Sequence, residues 1–150
     1  MEAIAGALAE AGVEIQTMAD ARPSLWEKLS YLAPFSALTA AARLPIGSLW
    51  QSEATRDAFA DGVREVAQVA RAEGVRLPEG LAEKFAAFVS ALPPSARSSL
   101  LMDLQNGRRI EVEALQGTVV RRGARAGVPT PMLSALYAVL KPYEHGSVAV

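Results

Sequence analysis

A lysine placed among leucines is the feature of this sequence that first suggests chemistry. Leu25, Leu29 and Leu32 recur at helical spacing, and Lys28 lies three residues after the first and four before the last. A lysine there either runs its stem along the surface with its ammonium in water, or sits desolvated in a pocket. In the second case its pKa falls, and it can donate a proton near neutral pH. Glu111 shows a similar conflict. It opens a helix, where a carboxylate meets the positive end of the dipole, yet it is four residues before Leu115 at the edge of the buried face. Ser98 and Ser99 follow Pro93-Pro94 and suit helix capping. Asp103 with Arg108 or Arg109 reads as a structural ion pair, and His145 as a solvated residue of the tail.

Composition narrows what these residues can do. The 150 residues are enough for one domain with a sizeable core, and half of them are apolar. With 15 basic and 16 acidic residues there is no global field to attract nucleic acid. Arg108, Arg109, Arg121, Arg122 and Arg125 form a locally basic region, but no aromatics interleave with them. Cysteine is absent and histidine occurs once, which excludes disulfides and a histidine-rich metal site. No apolar run approaches the ~20 residues of a membrane span, and the N-terminus has no basic n-region, so a cytoplasmic protein is expected. Among 11 glycines no two are separated by a single residue, so G-x-G-x-x-G is absent.

These residues must be positioned mainly by helices. Residues 3–11 read as a short helix closed by Gly12. Val13, Ile15 and Thr17 then alternate with Glu14, Gln16 and Met18 as a strand would. A strand needs a partner, so residues 1–18 look like the tail of a βα unit. Helical spacing starts at Pro23. Pro34 is expected to kink or end that segment, leaving a second piece from Phe35 to Arg43. Residues 53–73 read as the longest helix, and Pro78 opens another. Ser98 to Gln105 and Glu111 to Ala126 follow, with Gly127 as a cap. Thr130-Pro131 is an N-cap and N1 pair opening the last helix. The expected fold class is all-α, a multi-helix bundle with a short orphan helix and strand at its N-terminus.

The separate signals join into one pattern. Ser98-Ser99, Asp103, Gly107-Arg108, Ile110-Glu111, Gly117 and then Gly127-Val128-Pro129-Thr130-Pro131 resemble the C-terminal signature of ketopantoate reductases (2-dehydropantoate 2-reductases). That signature has a serine pair, an acid, Gly-Arg, Thr-Glu at a helix start, a glycine, and Gly-Val-Pro-Thr-Pro. Leu25-Trp26-Glu27-Lys28 is similar to the Trp-x-Lys that opens the same domain.

The resemblance implies an all-helical domain like the C-terminal domain of 6-phosphogluconate dehydrogenase, spanning residues 19–150. Residues 1–18 would be the remnant of a Rossmann-type domain that binds NADPH in the intact enzyme. Lys28 and Glu111 would be catalytic, the lysine donating to the substrate carbonyl. Ser99, with Ser98 and Ser36, would contact a 2-oxo acid or related ketone. Two departures stand out. Leu32 and Ser36 replace asparagines one and two turns after the lysine, and Ile110 replaces the threonine before the glutamate. The first makes the pocket less polar than one built for ketopantoate. The chain alone is expected to bind no cofactor, to need the missing Rossmann domain for activity, and to self-associate. The other reading is a stand-alone helical dimerisation or binding module.

Overall fold

The computed structural model describes residues 2–15 and 17–146, and they form an all-helical fold. After α1 (Glu2–Glu10) come α2 (Arg22–Ala42), α3 (Ile46–Trp50), α4 (Glu53–Ala72) and α5 (Leu81–Ser90). Then follow α6 (Ser99–Gln105), a π-helical turn (Glu113–Gly117) running into α7 (Thr118–Ala126), and α8 (Pro131–Leu140) with a 3₁₀ turn (Lys141–Tyr143).

Helix α2 is the axis of the domain, packing against α4, α6, α8 and the π-helical turn. At 21 residues it is also the longest helix, one residue longer than α4. It passes unbroken through Pro34, contrary to the break expected from the sequence. Proline removes one helix hydrogen bond, and packing compensates here. Gly62 of α4 presents no side chain, and the buried Pro34 ring fills that space; a Cβ at Gly62 would lie 2.7 Å from the Cβ of Pro34. The helix ends on Arg43, which adopts left-handed φ of 57° and stacks its guanidinium over Tyr143.

Two apolar clusters flank α2. One joins Trp26, Ala33 and Phe35 to Phe59, Val63 and Val66 of α4 and to Leu81 of α5. Tyr31 sits at its aromatic centre, with ring centroids 5.1 Å from both Phe35 and Phe88 and 5.6 Å from Phe85. The other joins Ala37 and Ala40 to Leu100, Leu101, Ile110, Val112 and Leu140. Ile110 is thus a core residue where the resembling family has a capping threonine.

The expected strand is absent among the described residues. Positions 13–15, 17 and 18 have no strand pairing, and Gln16 lies outside the described residues. The alternation at 13–18 has no neighbouring strand to answer its backbone groups, so it stays irregular. Other boundaries also shift. The helix expected at Pro78 begins at Leu81, after left-handed Gly80, and the turn around Pro45 contains α3. Thr130 occupies the N-cap position of α8 but makes no side-chain cap. Glu65 of α4 caps α8 instead: its Oε1 accepts from Met132 N–H at 2.7 Å, and its Oε2 from Leu133 N–H at 2.9 Å.

Candidate active site

Lys28 is exposed on α2 and has no ion-pair partner among the described residues. The pairs near it belong to its neighbours, Arg22 with Asp20 at 2.8 Å and Glu27 with Lys84 at 2.5 Å. Of the two sequence-based alternatives for this lysine, the structure shows the solvated one. One turn on, Leu32 is half-buried, and two turns on, Ser36 is buried.

The serines differ in what their hydroxyls can still do. Thr39 Oγ1 donates to the Phe35 carbonyl at 2.9 Å or the Ser36 carbonyl at 3.1 Å. Its single proton is thereby used, so in the 2.7 Å contact with Ser98 Oγ the serine must donate. Ser98 Oγ also accepts from Leu101 N–H at 3.0 Å, as the N-cap of α6. Both capacities of Ser98 are therefore engaged inside the protein. Ser36 is similar, donating to the Ala33 carbonyl at 3.3 Å and accepting from Gln116 Nε2 at 3.0 Å. Only Ser99, the exposed first residue of α6, keeps a hydroxyl facing solvent.

Two buried polar contacts therefore join site-bearing segments to α2. Ser98–Thr39 fixes the start of α6, next to Ser99. Gln116, with contacts to Ser36 and to the Ala33 carbonyl at 2.7 Å, fixes the turn that follows Glu111. On an ideal helix Ser36 and Thr39 lie about 80° and about 20° round from Lys28, so both segments dock on the lysine's side of α2. Along the axis they are ~12 and ~16 Å from it. Lys28, Ser99 and Glu111 share no direct contact. Glu111 is exposed and lines a cleft of about 440 Å³ with Asp103, Arg109, Ala114, Glu113 and Glu144. Asp103 pairs with Arg108 at 3.8 Å, and His145 is exposed beside Glu144.

Glu113, Gln116 and, away from this cleft on α4, Glu65 escape the sequence reading. Glu113 accepts from Lys141 Nζ and Tyr137 Oη on one oxygen and from Arg121 on the other. The Lys141 ammonium and the Tyr137 hydroxyl, with Arg121, hold its carboxyl down to about 2. The Glu113 carboxylate in turn raises the Tyr137 hydroxyl, and Glu113 with Glu144 raises the Lys141 ammonium. Glu65 is 6% exposed, and burial raises its carboxyl despite the two backbone donors of α8. Gln116 is fully buried. A signal for it existed: it lies four residues after Val112 and three before Val119, a polar side chain on an apolar stripe.

Residues 20–144 match the family model described as ketopantoate reductase PanE/ApbA C terminal. The chain belongs to that family. It is 33% identical to a 2-dehydropantoate 2-reductase of Halobacterium salinarum over 133 residues, 89% of this chain and 44% of the relative. Against the 2-dehydropantoate 2-reductase of Caulobacter vibrioides it is also 33% identical, over 93% of this chain and 47% of the relative. The crystal structure of a PanE/ApbA family ketopantoate reductase from Ralstonia eutropha JMP134 superimposes with a TM-score of 0.87. Identity there is 36%, over 95% of this chain and 48% of that one. The chain thus spans less than half the length of these relatives. Among the described residues no helix is long and apolar enough to cross a membrane.

Proposed function

We propose that this chain is the substrate-binding and catalytic half of an NADPH-dependent, cytoplasmic 2-dehydropantoate 2-reductase-like oxidoreductase acting on a 2-oxo acid or related ketone. The family match over residues 20–144 carries this reading. The docking of the Ser99 and Glu111 segments on the lysine's side of α2 supports it. With NADPH bound, its nicotinamide would supply the hydride to the carbonyl carbon; the Lys28 ammonium gives its proton to the carbonyl oxygen. A cation already in place stabilises the alkoxide as it develops. Glu111 holds the substrate and the lysine, and Ser99 donates to the substrate carboxylate. Ser98 and Ser36, with hydroxyls engaged internally, act by holding α6 and the π-helical turn. Leu32 replaces a polar contact with an apolar one, so the preferred substrate carries a more apolar side chain than ketopantoate.

The described residues offer no strand–glycine turn–helix unit to cradle a pyrophosphate. On this reading the nicotinamide is held by a Rossmann-type domain outside these 150 residues, and the chain assayed alone does not turn over. A second reading, a helical association module without activity, draws on two observations. Lys28 is solvated and shares no direct contact with Glu111. α1 leaves Ile4 67% and Leu8 43% exposed, an apolar face suited to self-association.

Titrating the isotopically labelled chain with 2-oxoisovalerate and with ketopantoate tests the first reading. Resonances of Ser99 and Glu111 should shift, with tighter binding of 2-oxoisovalerate and weakened binding in Lys28→Ala. Calorimetry should find no saturable NADPH binding at micromolar levels. Absence of any 2-oxo acid response would leave the module reading standing. Tight NADPH binding would refute the division of labour.

A further inference from the structure

We infer that Gln116 is a positioning residue that sets Glu111 relative to the lysine-bearing helix through the π-helical turn; this rests on the catalytic reading above. The turn is defined by its hydrogen bonds. Gly117 N–H donates to the Val112 carbonyl at 2.9 Å, five residues back, just after Leu115 N–H donates to Glu111 four residues back at 3.0 Å. One extra residue is thereby taken into the helix. Relative to an uninterrupted helix, everything before the turn, Glu111 included, is rotated by about 100° about the axis of α7. Such a wide turn forfeits regular helix geometry and needs other contacts to persist.

Those contacts come from both sides of the turn. Outside, Glu113 is gripped by Arg121, Tyr137 and Lys141, and its carbonyl also accepts from Arg121 Nη2 at 3.0 Å and Thr118 Oγ1 at 3.2 Å. Gly117 lets these groups close, since a Cβ there would stand 2.8 Å from Arg121, 2.9 Å from Glu113 and 3.0 Å from Tyr137. Inside, one side chain reaches α2 by hydrogen bonds. Gln116 donates both its amide protons, to the Ala33 carbonyl and to Ser36.

Gln116 Oε1 is the one buried side-chain oxygen or nitrogen without a partner among the described residues. A side chain kept only to fill this space would avoid that cost, and methionine has the same length with no polar atom left unanswered. The amide gives direction instead: two donors aimed at fixed acceptors on α2, 83 and 80 residues away in sequence. Apolar packing would permit the turn to slide or to relax into an ordinary helix, carrying Glu111 with it.

Amide hydrogen exchange and 2-oxoisovalerate titration on the whole chain, wild type against Gln116→Met, test this. Exchange at Leu115 and Gly117 should accelerate at least tenfold in the variant, with core amides such as Val63 and Val66 unchanged. Binding of 2-oxoisovalerate should weaken at least tenfold. Ser36→Ala, which removes one acceptor and leaves the amide, should do the same more weakly, and serves if Gln116→Met does not fold. Wild-type exchange at Gly117 in both variants would overturn the inference. If the wild-type chain binds no 2-oxo acid, the catalytic reading fails by itself, and exchange at Gly117 still decides whether Gln116 holds the turn.

Discussion

The two faces of α2 are built by different means. Against α4 and α5 the contact is apolar and aromatic, with Phe35, Phe59 and Val63 buried around Tyr31. Against α6 and the π-helical turn, the apolar cluster is accompanied by buried polar contacts, Thr39 with Ser98 and Ser36 with Gln116. Apolar burial is non-directional and tolerates sliding, whereas hydrogen bonds specify one register. The face that stabilises the domain is thus distinct from the face that aims the candidate residues.

The largest test of this contrast is Phe59→Ala. Phe59 is fully buried and touches Tyr31 and Trp50, with ring centroids 6.5 and 5.3 Å away. Its truncation should cost about 3–5 kcal/mol in urea unfolding. A loss below about 1 kcal/mol would mean that the aromatic cluster is not the main source of stability. Next comes Glu65→Ala, which leaves Met132 and Leu133 N–H uncapped at the start of α8 and should cost about 1–3 kcal/mol. Glu65→Gln keeps an acceptor and should lose less.

A smaller effect concerns pH. Glu113 is held at about 2 against an ordinary 4.5. Its contribution is present above pH 4.5 and is lost as pH falls from there toward 2. Glu65 has the opposite shift, so its burial weighs against the ionised fold at neutral pH and is relieved on protonation. Thermal melts should therefore show a steeper fall in Tm between pH 4.5 and 2 for the wild type than for Glu113→Gln. Identical acid limbs would remove Glu113 from the account. The smallest effect belongs to Lys28→Ala, which should change stability by no more than ~0.5 kcal/mol. A large loss would make Lys28 a packing residue and blur the division between the faces.

How much of this was legible in the sequence depended on whether the cause was local. Helix spacing, the Ser98 cap and the Gly127 cap are set by near neighbours, and they appear in the structure. Continuity through Pro34 was not legible, because it depends on Gly62, a residue of another helix. The cap on α8 is equally hidden, since Thr130 stands at the N-cap position but the carboxylate that serves it comes from Glu65 of α4. The strand pattern at 13–18 describes side chains alone and is silent about a pairing partner. At the candidate site, types and spacing singled out Lys28 and Glu111, and the family resemblance alone gave Ser99 a role. They could not reveal that Ser98 and Ser36 spend their hydroxyls internally, or that Gln116 anchors the turn between Glu113 and Gly117.

The fit of Pro34 against Gly62 also constrains the order in which these helices can change over evolutionary time. A side chain at 62 becomes tolerable only after the ring at 34 is gone, whereas losing the ring first opens a void beside a bare glycine. Each position therefore sets what the other accepts, and substitutions there are expected to accumulate as paired events rather than independent drift.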